Sequence, residues 1–147
     1  MQLEKLEVNL GLEKNEVHIS ERWRRGESMK LGELIRRLQS FDGNDRIVID
    51  IDGKYHNPLC LSSFRGYYDQ LAIDQTSNDE KKLGIFLKEC EEAVGKVFTG
   101  WKGGDFTMYE HTLVWVSEIG CCDNIIITDI IYVDSDVVIK TMVNDYA

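Results

Sequence analysis

The chain lacks most of the features that mark specialised protein classes. It has a single proline, Pro58, in 147 residues, and no Pro-, Gly- or Ser-rich tract of the kind that forms linkers or stays disordered. No apolar run approaches the roughly 20 residues a membrane helix needs, and the opening MQLEKLEVNL is too charged for a signal peptide. No membrane association is expected, and the cytoplasm is the expected location. The three histidines, His18, His56 and His111, form no H-x-x-x-H pair, so zinc-hydrolase chemistry has no support. The four cysteines, Cys60, Cys90, Cys121 and Cys122, contain no C-x-x-C and are expected to be free thiols. P-loop and dinucleotide glycine signatures are missing, and Ser62 and Ser63 lack a nucleophile-elbow setting.

Positive charge is scarce as well. Seventeen Lys and Arg stand against 26 Asp and Glu, a net charge of −9. Binding to a nucleic-acid backbone demands a positive face, so no direct nucleic-acid binding is expected. The acidity either keeps the protein soluble or presents a DNA-like negative surface to a nucleic-acid-binding enzyme. The aspartate pairs Asp50/Asp52 and Asp134/Asp136 have chelating spacing, but aspartates at such positions ordinarily make turns, and the EF-hand pattern is absent. Neither a metal nor a cofactor is expected. His111 beside Glu110 is the one adjacent acid–base pair, and no residue is assigned a catalytic role.

What is present describes one folded domain. Hydrophobic residues make up 43% and charged residues 29%, and a chain of this length buries roughly two thirds of the surface exposed when unfolded. Residues 1–27 read as an extension, with a strand or hairpin around Val17 and Ile19 and a basic cluster of Arg22, Arg24 and Arg25 around Trp23. Residues 28–147 read as a single α+β domain. Leu31, Leu34, Ile35 and Leu38 have the spacing of a helix face, and FDG marks a turn after them. RIVIDI (46–51) reads as a strand, Asp52-Gly53 as a hairpin turn, Pro58 as the start or flank of the next extended segment, and YYDQLAI (67–73) as a strand.

Ser77 and Glu80 fit a capping box ahead of a second helix whose stripe is Leu83, Phe86, Leu87, Cys90 and Val94, stopped at Gly95. LVWVSE, NIIITDIIYV and DVVIKTMV read as strands. The last two form a hairpin about Asp134-Ser135, and the first of that pair, apolar on both faces, is expected to be central. The fold class is α+β: an antiparallel or mixed sheet of about five to seven strands with two helices packed on it.

Two stretches carry candidate binding chemistry. In FTGWKGGDF (98–106), Gly100, Gly103 and Gly104 free the backbone to turn and let amides point at an anion. Lys102 adds charge and Thr99 a hydroxyl, while Phe98 and Trp101 offer flat faces for a base. In SSFRGYYDQLA (62–72), Arg65, Gly66 and Tyr67 set a planar guanidinium beside flexible backbone and a phenol ring. The plain alternatives are a helix-to-strand connection in the first case and an arginine paired with Asp69 or Asp74 in the second.

Three blocks, MKLGELIRRLQSFDGNDRIVID, SSFRGYYDQLAI and GKVFTGWKGGDFTMYEHTLVWVSEIG, together resemble a group of small phage and prophage proteins. Those proteins share a G-E-L helix, an S-x-R-G-Y-Y-x-x-L-A block, a helix and an F-T-G-[WY]-K-G-G-x-[FY]-x-M loop in that order. The likeness covers about residues 29–120. Within that context the chain is most compatible with the anti-Thoeris type, which sequesters a cyclic ADP-ribose signal of the host's defence. The resemblance implies a non-enzymatic protein of the host bacterial cytoplasm that holds a small nucleotide-derived ligand. It further implies a homo-oligomer, dimer or higher, with Arg65 and Lys102 on phosphates and Phe98, Trp101 or Tyr67 stacked on the base. Two other readings stay open: an acidic DNA-mimic inhibitor of a host nuclease or CRISPR/restriction enzyme, and a small nucleotide-processing enzyme.

Overall fold

The computed structural model describes residues 28–76, 78–117 and 125–143. The strand or hairpin expected in 1–27, its Trp23–arginine cluster, Ser77 and the Cys121-Cys122 pair lie outside the described residues. The described elements run α1 Leu31–Leu38, β1 Arg46–Ile51, β2 Lys54–Ser63, β3 Leu71–Thr76, β4 Lys81–Lys82 and α2 Leu83–Ala93. They continue with β5 Val97–Thr99, β6 Asp105–Thr107, β7 Val114–Ser117, β8 Ile125–Val133 and β9 Asp136–Val143. The architecture is α+β: a mixed seven-stranded sheet in the order β2-β3-β7-β8-β9-β1-β4, and a separate two-stranded ladder of β5 and β6.

Strand β2 does two jobs. Its first residues, Lys54 to His56, pair antiparallel with β1, and from Asn57 to Ser63 it pairs antiparallel with β3. The pairings therefore close the sheet on itself through β2. Pro58, which the sequence placed at the start or flank of an extended segment, is interior to this strand. It sits just past the change of partner, and the register shifts between Pro58 and Cys60. A residue without an N–H is accommodated in a ladder at such an irregularity. Parallel pairings join β1 to β9 and β3 to β7.

Both tight turns foreseen at Asp-Gly and Asp-Ser form. Asp52 and Gly53 have φ of 52° and 82°, and Asp134 and Ser135 have φ of 49° and 71°; paired positive φ values are what a two-residue hairpin needs to match strand twist. Strand β8 is flanked by β7 and β9, as its two-sided apolar pattern implied.

Helix α1 buries Leu31, Leu34, Ile35 and Leu38 against Ile47, Ile49, Leu71, Val114, Ile127 and Ile139 of the sheet within one apolar cluster. Its first amides are not capped by a side chain. Instead Leu31 and Gly32 donate to the carbonyls of Thr112 and Glu110, both at 2.8 Å, so the 109–113 segment closes the helix start. Helix α2 begins at Leu83 with Lys82 before it and no side-chain cap. The Ser77/Glu80 capping box is thus not what starts it: Leu83 and Gly84 donate to the carbonyls of Asp45 and Gly43 at 2.8 and 2.9 Å, and Glu80 pairs with Arg46. Orphan helix amides need an acceptor of some kind, and here the turn after α1 supplies it. Leu83, Phe86, Cys90 and Ala93 are buried. Val94 lies outside the helix and is 37% exposed, while Gly95, at φ 81°, ends the segment as foreseen.

A smaller cluster lies apart from the main core. Phe64, Ala72, Trp115 and Ile126 are buried together, with Leu113 packed against them. It anchors the loop that leads from β2 into β3.

Candidate ligand-binding site

The stretch FTGWKGGDF folds as a β-hairpin. Phe98 faces Phe106 and Thr99 faces Asp105 across the β5–β6 ladder, leaving Gly100 to Gly104 as the tip. Gly103 and Gly104 have φ of 89° and 88°, a region that costs other residues steric energy. The Gly100 N–H donates to the Gly104 carbonyl and the Gly103 N–H to the Gly100 carbonyl, both at 3.0 Å. These two amides, expected from sequence to face an anion, are instead spent in closing the turn. Gly100 lies under the Phe106 ring, where a Cβ would come within 2.8 Å of a ring carbon.

Residues 64–70, which follow the end of β2, form a turn, so the strand expected over YYDQLAI (67–73) begins only at Leu71 as β3. Phe64 donates to the Gln70 carbonyl at 2.7 Å, Tyr67 to Phe64 at 3.2 Å and Gln70 to Tyr67 at 2.9 Å. The Ser63 hydroxyl donates to the Tyr68 carbonyl at 2.6 Å. Buried Phe64 stacks on Trp115 with centroids 5.0 Å apart and planes 9° from parallel, and Tyr67 tilts against both rings. The Trp115 indole N–H donates to the Gln70 side-chain oxygen. Gly66 passes so close to Phe64 that a Cβ would stand 2.7 Å from its ring.

The two turns meet. The Arg65 guanidinium lies 4.9 Å from the centroid of the Trp101 ring, and Tyr68 meets Phe106 edge-on at 6.0 Å. Trp101 is 58% exposed and Tyr67 49%; Lys102, at the tip, is exposed, as is Thr99 on β5. Phe98 differs from the rest of the expected set. It is half-buried against the main core, with the Lys96 ammonium 5.1 Å above its ring, so its place is in the packing of the hairpin. The aspartate Asp74, a sequence candidate for pairing Arg65, instead accepts from Ser62 and Ser117 at 2.8 Å each.

Beside this surface lies a cleft of about 410 Å³ whose lining includes Lys30, Asp69, Gln70, Thr107, Tyr109 and His111. His111 stacks on Tyr109 with centroids 5.4 Å apart and planes 8° from parallel; its structural partner is this phenol ring, whereas the sequence had set it beside Glu110. The cleft draws on segments far apart in the chain, so no local motif announces it. Asp69 and Gln70 lay in the SSFRGYYDQLA stretch and His111 beside Glu110, but nothing in the sequence joined them.

A second cleft, of about 310 Å³, is lined by Asn44, Arg46, Glu80, Lys81 and Lys82. Arg46 there is committed to Asp136 at 3.0 and 2.6 Å and to Glu80 at 2.8 Å, and Lys81 to Glu89 at 2.8 Å. Among the described residues, no group of three or more His, Cys, Asp or Glu is placed to hold a metal. Asp50 pairs with Lys140 at 2.6 Å. No helix among the described residues is long and apolar enough to cross a membrane. No protein-family model matches the chain, and no curated protein or solved structure matches it significantly.

Proposed function

We propose that the protein binds a small nucleotide-type ligand at the surface formed by the 64–70 turn and the 98–106 hairpin, and sequesters it without chemical conversion. The observation that carries this reading is the contact of Arg65 with Trp101. Two segments more than thirty residues apart in sequence join a guanidinium to a half-exposed indole. That pairing suits a ligand with an anionic group and a flat ring: arginine recognises phosphate through fixed donors, and an exposed indole stacks on bases. Tyr67 and Lys102 extend the same chemistry on either turn. Sequestration without turnover is taken from the resemblance to phage proteins, and recovery of the ligand unchanged tests it.

The biological setting is taken from the resemblance to phage proteins: a counter-defence protein of the host cytoplasm that soaks up a cyclic ADP-ribose-like signal, acting as a homo-oligomer. A ligand that binds only the folded state raises stability by RT ln(1 + [L]/Kd), about 2.7 kcal/mol at a hundredfold excess over Kd. The test is thermal unfolding with ADP-ribose, cyclic ADP-ribose, NAD and adenosine, with mass spectrometry of the recovered ligand. Stabilisation that Arg65→Ala abolishes, with ligand recovered intact, supports the proposal. Absence of any shift, with a host nuclease co-purifying, supports the DNA-mimic alternative, and an altered ligand establishes catalysis.

A further inference from the structure

We infer that the cleft between Lys30 and His111 is a phosphate or diphosphate pocket, and that the ligand's ring is left to the Trp101 hairpin. The inference deepens the reading above and rests on it for the identity of the ring-bearing half.

In the hairpin the Gly100 and Gly103 amides already donate inside the turn, so neither of these two is offered to an anion. In the neighbouring cleft two polar side chains, Gln70 and Thr112, have an acceptor already occupied. The Gln70 side-chain oxygen takes the Trp115 indole N–H, which leaves Gln70 an NH₂ to offer. The Thr112 hydroxyl oxygen accepts the Tyr109 N–H at 2.8 Å, which leaves its own proton to donate. Lys30 contributes an exposed ammonium, and Tyr109 and His111, stacked on each other, contribute a hydroxyl and a ring N–H. Among the described lining residues Lys30, Gln70, Tyr109, His111 and Thr112 each offer a donor, and the acceptor-rich partner they fit is a phosphoryl group.

Asp69 is the one carboxylate among the described lining residues. A carboxylate among such donors suits a sugar hydroxyl next to the phosphates. A volume of about 410 Å³ lies within the roughly 300–1,000 Å³ of small-ligand sites. In a chain of net charge −9 the described lining carries one cation, Lys30, for its one carboxylate, Asp69. The turn that carries Arg65 also carries Asp69 and Gln70, so one segment serves both halves of the site.

Calorimetric titration at constant ionic strength with ADP-ribose, adenosine and inorganic pyrophosphate separates the two halves. The variants are Lys30→Met, which changes an exposed side chain, His111→Phe, which keeps the stack on Tyr109, and Trp101→Ala. Pyrophosphate should bind wild type and Trp101→Ala alike and lose at least tenfold in affinity in Lys30→Met and in His111→Phe. ADP-ribose should weaken at least tenfold in all three, and adenosine only in Trp101→Ala. If ADP-ribose binding depends on Trp101 but is unchanged in Lys30→Met and His111→Phe, the pocket assignment is wrong and the nucleotide reading stands. If pyrophosphate binds in a Lys30-dependent way and no nucleoside compound binds more tightly, the pocket stands and the nucleotide reading falls. If none of the three probes binds, both fall.

Discussion

Arg65 lies over the ring of Trp101 at 4.9 Å, and through this contact the 64–70 turn and the 98–106 hairpin become one surface. An exposed cation–π contact is worth only about 0.5–1 kcal/mol. Its value here is positional: it presents an indole face and a guanidinium side by side. The hairpin is further seated by Tyr68 against Phe106 and by half-buried Phe98 on the main core.

Trp101→Ala should lower the stability of the free protein by no more than about 1 kcal/mol, and Arg65→Ala removes the other half of the same contact. Both should remove most of the stabilisation produced by saturating ADP-ribose. Because the two residues touch, the effects should be less than additive in the double variant. Thermal unfolding of the four proteins with and without ligand measures the coupling, and full additivity would contradict a shared site.

The hairpin tip gives a sharper contrast. Gly103 has φ of 89° and open space where a Cβ would go, so Gly103→Ala should cost about 1–2 kcal/mol through backbone strain alone. Gly100→Ala should cost more, since its Cβ would stand 2.8 Å from a Phe106 carbon and 3.1 Å from the Gly103 carbonyl oxygen. Lys102→Ala, at the same tip, should leave stability within about 0.5 kcal/mol of wild type. Urea unfolding orders the three variants. A neutral Gly100→Ala would mean that the turn does not close as described.

Much of the fold was legible because its signals are local. The spacing of Leu31, Leu34, Ile35 and Leu38 reports one helix face, and the Asp52-Gly53 and Asp134-Ser135 pairs report left-handed turns directly. The failures share a cause. Helix α2 resembled a capping-box helix, but its first amides are met by the backbone of Gly43 and Asp45, acceptors some forty residues upstream that no local pattern reveals. YYDQ resembled a strand by residue type, but Phe64 and Tyr67 are drawn onto Trp115 and Gln70 is hydrogen-bonded to it, which holds the segment as a turn. The two binding stretches were visible as loops rich in glycine, cations and aromatics. Their meeting was not, nor was the cleft beside them, because both depend on how β3, β6 and the 109–113 segment converge.

Acid sensitivity should centre on β9. The guanidinium of Arg46 donates to both oxygens of Asp136, and this hydrogen bonding, partly opposed by burial, holds the Asp136 carboxyl below its ordinary value. A carboxyl depressed in the folded state contributes stability above its unfolded pKa, about 3.9, and loses it as pH falls through the folded value. Asp136→Asn should therefore be less stable than wild type by on the order of 1 kcal/mol from pH 5 to 7. The gap should close as the pH drops below about 4. Urea midpoints across that range test it, and a gap independent of pH would assign the loss to packing.

The described cysteines should separate by reactivity. Burial pushes the Cys90 thiol far above its ordinary range, in keeping with its place on the covered face of α2. The exposed Cys60 is also raised, first by partial burial and then by the charge of Asp74, whose carboxylate lies 3.5 Å from its sulfur. Since the thiolate is the reacting form, iodoacetamide at pH 7.5 should label Cys60 slowly and leave Cys90 untouched until the protein unfolds. Asp74→Asn should speed Cys60 without exposing Cys90, because it removes the negative charge and keeps a polar partner for Ser62 and Ser117. Peptide-resolved mass spectrometry reads each site separately. Labelling of Cys90 in native wild type at the rate of Cys60 would mean that α2 opens far more readily than its buried face allows.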